Sequence, residues 1–438
     1  MSGLARATAR RLLGELEEAG IRLGLEAMGR LLEALGEPHR RLPHVLVAGT
    51  NGKGSTAVLL HSMLTAAGYR TGLYTSPHLE NVRERLRIDG QAVGLEDFVE
   101  RLQRVIATAT MHLGDRPTYF EALTATAFDL FAEETDIAIL EVGLGGRLDA
   151  TNVGEPILSI ITEIGIDHVE FLGATEAAIA REKAGVMRAG QPVLSAVASN
   201  ARQDLERLAR EKGAQWTDVL AEVTISARTR QGDSVIELKT GAASYRLRAS
   251  LPGEHQRRNL ALAVRAAEAL ATAGWHRLTK EAIEVGVSRC RWPGRLERVP
   301  LEDGREVLLD AAHNAQGARM LAAYLAQHPE RDCLVFGALE GKDVGSVLPP
   351  LAAAVEQVIL TAPDSPRSLK PEVLSRWVDA MYCQVEPDAA LALEAALAGE
   401  AKRIVVCGSI YLVGEVRRLL RLRFARPVAA VELNLTAG

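Results

Sequence analysis

The segment from His44 to Thr56, HVLVAGTNGKGST, constrains the fold more than any other, because an apolar run passes directly into a glycine-flanked lysine and then a pair of hydroxyls. Gly49, Gly52 and Gly54 let a backbone approach an anion closely, Lys53 adds a positive charge, and Ser55 and Thr56 offer oxygens to Mg²⁺. The following AVLLHSMLTAAG is apolar at helical spacing and stops at Gly68. Strand, loop and helix in that order place unpaired N–H groups and the helix dipole at the glycines, where a phosphate is stabilised. The spacing departs from the standard phosphate loop: Val47 stands where its first glycine would be, and Gly54 separates Lys53 from Ser55.

The rest of the chain alternates apolar runs with helical patterns, as an α/β fold with a largely parallel sheet requires. Strands are expected at Val45 to Ala48, Ile137 to Val142, Ile157 to Thr162 and Pro192 to Ala196. Helices are expected at Ala57 to Ala67, Glu121 to Glu134 and Glu176 to Arg188. From Ala221 to Leu251 the texture changes to TISARTR and SVIELKT around a turn-like QGDS, then SYRLRAS, which reads as a small antiparallel patch within the first domain. A second α/β series follows, with EVLLDAAHN, CLVFGALEGK, QVILTAP and RIVVCGSIYL. The boundary is expected near Val299, giving domains 1–298 and 299–438 with a cleft between them.

Charge balance removes several function classes. With 51 basic and 56 acidic residues, for a net charge of −5, the chain lacks the footprint of a nucleic-acid binder. No stretch reaches the ~18 apolar residues of a membrane span. The N-terminus, MSGLARATARRLLGELEEAG, reads as an amphipathic helix rather than a signal peptide. Cys290, Cys333, Cys383 and Cys407 lack metal-ligand spacing and read as free thiols of a cytoplasmic protein. Without a heptad seam or an apolar stripe, a monomer is expected.

Further blocks carry a family resemblance. GTNGKGS, TSPHL at Thr75 to Leu79, YFEALTATAF from Tyr119, EVGLGGRLDATN at Glu141 to Asn152 and IDHVEFLG at Ile166 to Gly173 occur in order. REKAG around Lys183, LPGEHQRRN at Leu251 to Asn259, WPGRLE at Trp292 to Glu297, DAAHN at Asp310 to Asn314 and GSIYLVGEV at Gly408 to Val416 complete the series. Over about four-fifths of its length the chain resembles the Mur ligase superfamily, and within it the folylpolyglutamate synthase and dihydrofolate synthase family. One departure is that family sequences often read DGAHNP where this chain has Ala311 and Ala315.

The resemblance implies a Mur-ligase-like α/β fold, with an N-terminal phosphate-loop ATPase domain and a C-terminal Rossmann-like domain. ATP would be held by Gly49, Thr50, Asn51, Gly52, Lys53, Gly54, Ser55 and Thr56, with Asn259, Arg295, Asp310 and His313 completing the site. Ser55, Ser76, Glu141 and His168 match positions that coordinate two magnesium ions in the family. Lys183, fifteen positions after His168, matches a lysine carbamylated by CO₂. Read without the family, Lys183 in AAIAREKAGVM is a solvated helix residue, His168 and His313 are capping or packing groups, and Glu141 projects a carboxylate from a strand end beside the phosphate loop, where Mg²⁺ must sit, with a solvated strand end as the alternative. The pterin site would lie near TSPHL and Tyr119 to Glu121, where Phe120 offers a stacking surface or is simply core, and Glu121 is a substrate-binding candidate.

The activity so implied is ATP-dependent amide ligation, with Lys53, His168 and Lys183 as catalytic candidates. A carboxylate attacks ATP to give an acyl phosphate, and the amine of L-glutamate displaces phosphate. The carboxylate belongs to dihydropteroate or to the γ-carboxyl of a reduced folate. The alternatives are a folylpolyglutamate synthase of single activity, another Mur-type amino-acid ligase and an ATP-binding switch.

Overall fold

A computed structural model of the chain describes residues 2–424 apart from 18, 19, 21, 23, 115, 231, 232, 249, 380 and 382. The first sheet contains β1 (His44–Ala48), β2 (Thr71–Tyr74), β3 (Leu86–Ile88), β4 (Gln91–Ala92), β5 (Ile137–Glu141), β6 (Leu158–Ile161), β7 (Pro192–Ser195) and β8 (Gln215–Asp218). Its order is β4-β3-β2-β5-β1-β6-β7-β8. The six strands from β2 to β8 across the sheet are parallel, and β3 and β4 fold back antiparallel at one edge.

Side-chain alternation along these strands divides the interior into two cores. Leu46 and Ala48 of β1 join Ala138 and Leu140 of β5 beneath the helices Ser2–Glu17, Leu95–Leu113 and Tyr119–Glu134, whereas Val45, Val47, Ile137 and Ile139 face the other side. The N-terminal helix joins the first core through Ala9, Leu12 and Leu16, the amphipathic spacing its sequence implied. On the opposite face lies the helix Lys53–Ala66, buried without interruption from Gly54 to Leu64. The helix Lys280–Arg289 packs on it so closely that a Cβ on Gly286 would lie 2.4 Å from Met63 Cα.

The expected antiparallel patch is a separate three-stranded sheet, β11-β10-β9, of β9 (Thr224–Arg230), β10 (Asp233–Lys239) and β11 (Ser244–Arg248). Its Ile236, Leu238, Tyr245 and Leu247 close the second core. Within the turn-like QGDS, residues 231 and 232 lie outside the described residues.

A further sheet has the order β12-β13-β17-β14-β15-β16, from β12 (Glu297–Pro300), β13 (Glu306–Leu309), β14 (Asp332–Phe336), β15 (Gln357–Leu360), β16 (Cys383–Val385) and β17 (Arg403–Cys407). All pairs are parallel except the edge pair β12 and β13. Leu308, Phe336 and Val405 face one core, while Val307, Val335 and Val406 face the other. Among the described residues no helix is long and apolar enough to cross a membrane.

Candidate active site

In the first sheet β1 is flanked by β5 and β6, so the chain changes direction across the sheet at that strand. A crevice outside the carboxyl ends of parallel strands at such a point is where α/β folds bind ligands. The loop after β1 is fixed by its surroundings: Thr50 Oγ1 donates to Gly165 O at 2.9 Å, and Thr162 Oγ1 donates to Asn51 O at 2.7 Å. Gly52 caps the following helix with φ 85°, and a Cβ there would sit 2.3 Å from Asn259 Oδ1. Gly54 is required for a different reason than the sequence suggested. It is already helical, and it leaves room for the Trp292 ring, 3.1 Å from where a Cβ would stand.

Two lysines converge on this loop. Lys53 Nζ donates to Gly49 O at 3.0 Å and to Thr50 O at 3.1 Å, and Lys183 Nζ donates to Gly49 O at 2.8 Å. Lys183 is only 3% exposed, so the surface position expected from its helical context does not hold. Ala184, Gly185 and Val186 follow it, and the end of its helix turns inward against the EVGLGGR loop, where a Cβ on Gly146 would lie 3.2 Å from its Cα. Burial, reinforced by the charge of Lys53, pushes the Lys183 amine well below its ordinary pKa. Burial also lowers that of Lys53, against the pull of Glu141 and Asp167.

Glu141 ends β5 and is buried, not solvated. Its Oε2 accepts from Ser76 N at 3.1 Å. Burial raises its pKa, while Lys53 and Arg295 oppose that shift. Ser55 Oγ receives a hydrogen bond from Gln256 Nε2 at 3.3 Å, and Gln256 Oε1 accepts from Asn259 Nδ2 at 2.9 Å. Thr56 Oγ1 is buried without a hydrogen-bond partner among the described residues.

Gly49 to Ser55, Glu141, Lys183, Gln256 and Asn259 line a cavity of about 180 Å³ that also contains His168, Asp310 and His313, whereas the Thr56 side chain lies outside it. Asp310 accepts from Leu296 N at 2.9 Å and Ala312 N at 2.9 Å, which folds the WPGR turn against the DAAHN loop. Only the remaining lone pairs of those oxygens are left for a ribose hydroxyl. Both histidines lie beside Asp167, with His313 Nε2 at 3.6 Å and His168 Nε2 at 3.9 Å from Oδ2. Burial brings His168 down to about 4 despite that carboxylate. Burial alone would raise Asp167, but its contacts with His313, Lys342 and His168 outweigh that and hold it well below the usual carboxylate range.

Asp167 and Asn51 also tie the two halves of the chain together. Lys342 Nζ donates to Asp167 Oδ1 at 3.0 Å, and Asn51 Nδ2 donates to Gln316 Oε1 at 2.6 Å. Asn314 Nδ2 donates to Asn51 Oδ1 at 3.0 Å. None of Asp167, Gln256, Asn314, Gln316 and Lys342 stands out in the sequence as a site residue, although Asp167, Gln256 and Asn314 lie inside the IDH, HQRRN and DAAHN blocks.

A second cavity, of about 560 Å³, adjoins the first, and the two share Gly54, Ser76, Pro77, Glu141, Arg295 and Ala311 in their walls. The TSPHL segment lines it from Thr75 to Leu79. Phe120 and Glu121 line neither cavity. Phe120 packs against Gly143, and Glu121 caps its own helix, its Oε2 accepting from Thr118 N at 2.8 Å. The capping box T-Y-F-E explains why the sequence puts a glutamate there. Among the described residues no cluster of three or more His, Cys, Asp or Glu side chains forms a metal cage. The oxygen donors of Ser55, Ser76 and Glu141 suit a hard cation that brings waters and phosphate oxygens with it.

The chain matches the Mur ligase middle domain over residues 47–267 and the Mur ligase glutamate ligase domain over residues 294–410. It is 34% identical to the dihydrofolate synthase/folylpolyglutamate synthase of Bacillus subtilis over 414 residues, 92% of this chain and 96% of that protein. The structure of E. coli FolC in complex with DHPP and ADP superposes with a TM-score of 0.83 at 30% identity, covering 95% of this chain and 98% of the other. A bifunctional folylpolyglutamate synthase/dihydrofolate synthase with Mn, AMPPNP and L-glutamate bound gives a TM-score of 0.81 at 31% identity, covering 93% and 97%.

Proposed function

Because the chain belongs to the dihydrofolate synthase/folylpolyglutamate synthase family of Mur ligases, we propose that it is an ATP-dependent ligase joining L-glutamate to pterin-bearing carboxylates through an acyl phosphate. It adds glutamate to dihydropteroate and to the γ-carboxyl of reduced folates. The observation that carries this reading is the shared wall of the two cavities, where Ser76, Glu141 and Arg295 face both. A carboxylate in the larger cavity would meet a terminal phosphate on the glycine loop at that wall.

In this reading the loop from Gly49 to Thr56 cradles the phosphates, and Lys53 leaves the carbonyls of Gly49 and Thr50 to meet the β- and γ-phosphate oxygens. Arg295, which has no hydrogen-bond partner among the described residues, meets the same charge. Asn259, Asp310 and His313 border the nucleotide. Ser55, Ser76, Glu141 and His168 hold two magnesium ions, with His168 the atypical ligand for so hard a cation. Mg²⁺ supplies Lewis-acid neutralisation of the phosphate oxygens. The acceptor carboxylate attacks the γ-phosphorus, ADP departs, the glutamate amine attacks the acyl carbon, and phosphate leaves. The protein contributes position and charge and needs no nucleophile of its own.

The depressed pKa of Lys183 supports carbamylation, since only a neutral amine adds CO₂. The modified side chain is anionic and lies beside the loop as a ligand for a cation. The site of the pterin is the cavity lined by TSPHL; Phe120 lies outside it, behind Gly143 of the smaller cavity, and Glu121 serves its own helix cap. We further propose a two-domain division just before β12, two residues ahead of the 298/299 boundary expected from the sequence because Glu297 and Arg298 already pair with β13, together with a monomeric state and a cytoplasmic setting.

The test is ATP-dependent phosphate release with Mg²⁺ and L-glutamate, supplied with dihydropteroate, with a reduced folate, or with no pterin. Release with both pterins is the expected result, and release with one assigns a single activity. Turnover that ignores the pterin, or none at all, would sink the ligase reading.

A further inference from the structure

The larger cavity carries more positive charge than one acceptor carboxylate requires. Six arginines and three glutamates line it, in a chain whose net charge is −5. Glu84 is occupied as a helix cap, its carboxylate accepting from the backbone of Leu79, Glu80 and Asn81. Arg83 and Arg87 donate to neutral carbonyls, those of Val93 and of Glu84 and Gly90, so their charges are not neutralised by these bonds.

The opposite wall is the last helix, Ile410–Phe424. Arg417 is buried there and pairs with Glu297 and Glu80, which makes it a structural link between the helix and the TSPHL segment. Arg421 also meets Glu80, at the same cavity. Arg418 lies between them in sequence, is exposed, and has no hydrogen bond or ion pair among the described residues. Two basic side chains of one helix therefore face a cavity whose walls also carry Arg83 and Arg87.

Dihydropteroate brings one carboxylate, and it reacts at the wall shared with the phosphate loop. A folate that already carries γ-linked glutamates brings an additional α-carboxylate with each residue. We propose that Arg418, assisted by Arg421, forms a subsite for the α-carboxylates of the acceptor's γ-glutamyl tail, so that this helix sets the preference among acceptors of different tail length. The inference rests on the ligase reading above and adds to it the residues that recognise the growing tail.

The experiment measures kcat/KM with saturating MgATP and glutamate for dihydropteroate, a tetrahydrofolate monoglutamate and a tetrahydrofolate triglutamate, in wild type, Arg418→Ala and Arg418→Lys. Each lost charge-assisted contact is worth about tenfold in affinity. The expected result is a fall of about tenfold in the ratio of triglutamate to dihydropteroate for Arg418→Ala, carried by KM and largely restored in Arg418→Lys. An unchanged ratio overturns the proposal, whether both activities fall or neither does. The KM for free glutamate, measured in a separate glutamate titration, is expected to stay unchanged, and a change confined to it also overturns the proposal by assigning the arginine to the incoming amino acid. Failure of the ligase reading is separately visible, because the wild type then turns over no pterin at all.

Discussion

Lys183 Nζ donates to Gly49 O at 2.8 Å, so the last residue of one helix is fastened to the phosphate loop 134 positions earlier in the chain. A buried ammonium with one carbonyl partner is costly, and the depressed pKa is the physical response to that burial.

Lys183→Met keeps the length of the side chain and removes the amine. Phosphate release is expected to fall by at least about 100-fold, the scale of losing one electrostatic group in such a site. Thermal stability is expected to hold or rise, because a buried polar group is exchanged for an apolar one. Carbon-13 bicarbonate should give a carbamate resonance in wild type that the variant lacks. Full activity in Lys183→Met would remove this residue from the mechanism.

Glu141→Gln preserves an acceptor for Ser76 N–H and removes the negative charge beside Lys53. A loss of roughly 10²-fold in kcat is expected, together with a higher Mg²⁺ requirement. Titration of activity against Mg²⁺ decides the matter, and an unaltered Mg²⁺ dependence would count against Glu141 as a cation ligand.

Two glycine substitutions separate packing from substrate binding. A Cβ on Gly414 would lie 1.9 Å from Leu79 O, at the wall of the larger cavity, whereas one on Gly286 would meet Met63 between two helices of the first half. Both alanine variants are expected to lose about 1–3 kcal/mol of stability through overpacking. Only Gly414→Ala should also raise the acceptor KM, which steady-state kinetics at a temperature where both variants are folded would measure.

Acid sensitivity should be traceable to two buried histidines. Burial brings His44 to about 4 and His61 to about 3, against 6.5 for an unperturbed ring. The unfolded chain therefore binds more protons as pH drops below 6.5, and the stability present above that value is lost progressively toward pH 4. The His61 ring is fully buried, and the backbone of Gly72 and the charge of Arg87 are secondary to burial in setting its shift. His61→Leu is expected to flatten the fall in melting temperature between pH 6.5 and 4, and an unchanged slope would rule out this origin.

The sequence was most informative where local rules dominate. The phosphate loop announced itself because glycines, a lysine and hydroxyls must follow a strand directly, and β1, β5, β6 and β7 fall within a residue of their expected limits. The α/β class, the antiparallel patch and the family were legible for the same reason. Lys183 was not, since an AAIAREK helix gives no local sign that its end is 3% exposed against a glycine-rich loop. Glu121 misled in the opposite direction, because a capping-box glutamate and a ligand-binding one look alike in sequence. Asp167, Gln316 and Lys342 were invisible because their meaning lies in contacts spanning 147 to 265 positions.

The seam of Asn51 and Asp167 with Gln316, Asn314 and Lys342 makes two measurable quantities inseparable. Asn51 and Asp167 border the nucleotide cavity and at the same time bridge the two halves. A nucleotide that strengthens or weakens those bonds changes the work of pulling the halves apart. By thermodynamic reciprocity, the factor by which nucleotide shifts the separation of the halves equals the factor by which separation shifts nucleotide affinity. The coupling between separation of the halves and nucleotide binding is thus one free energy read in two ways.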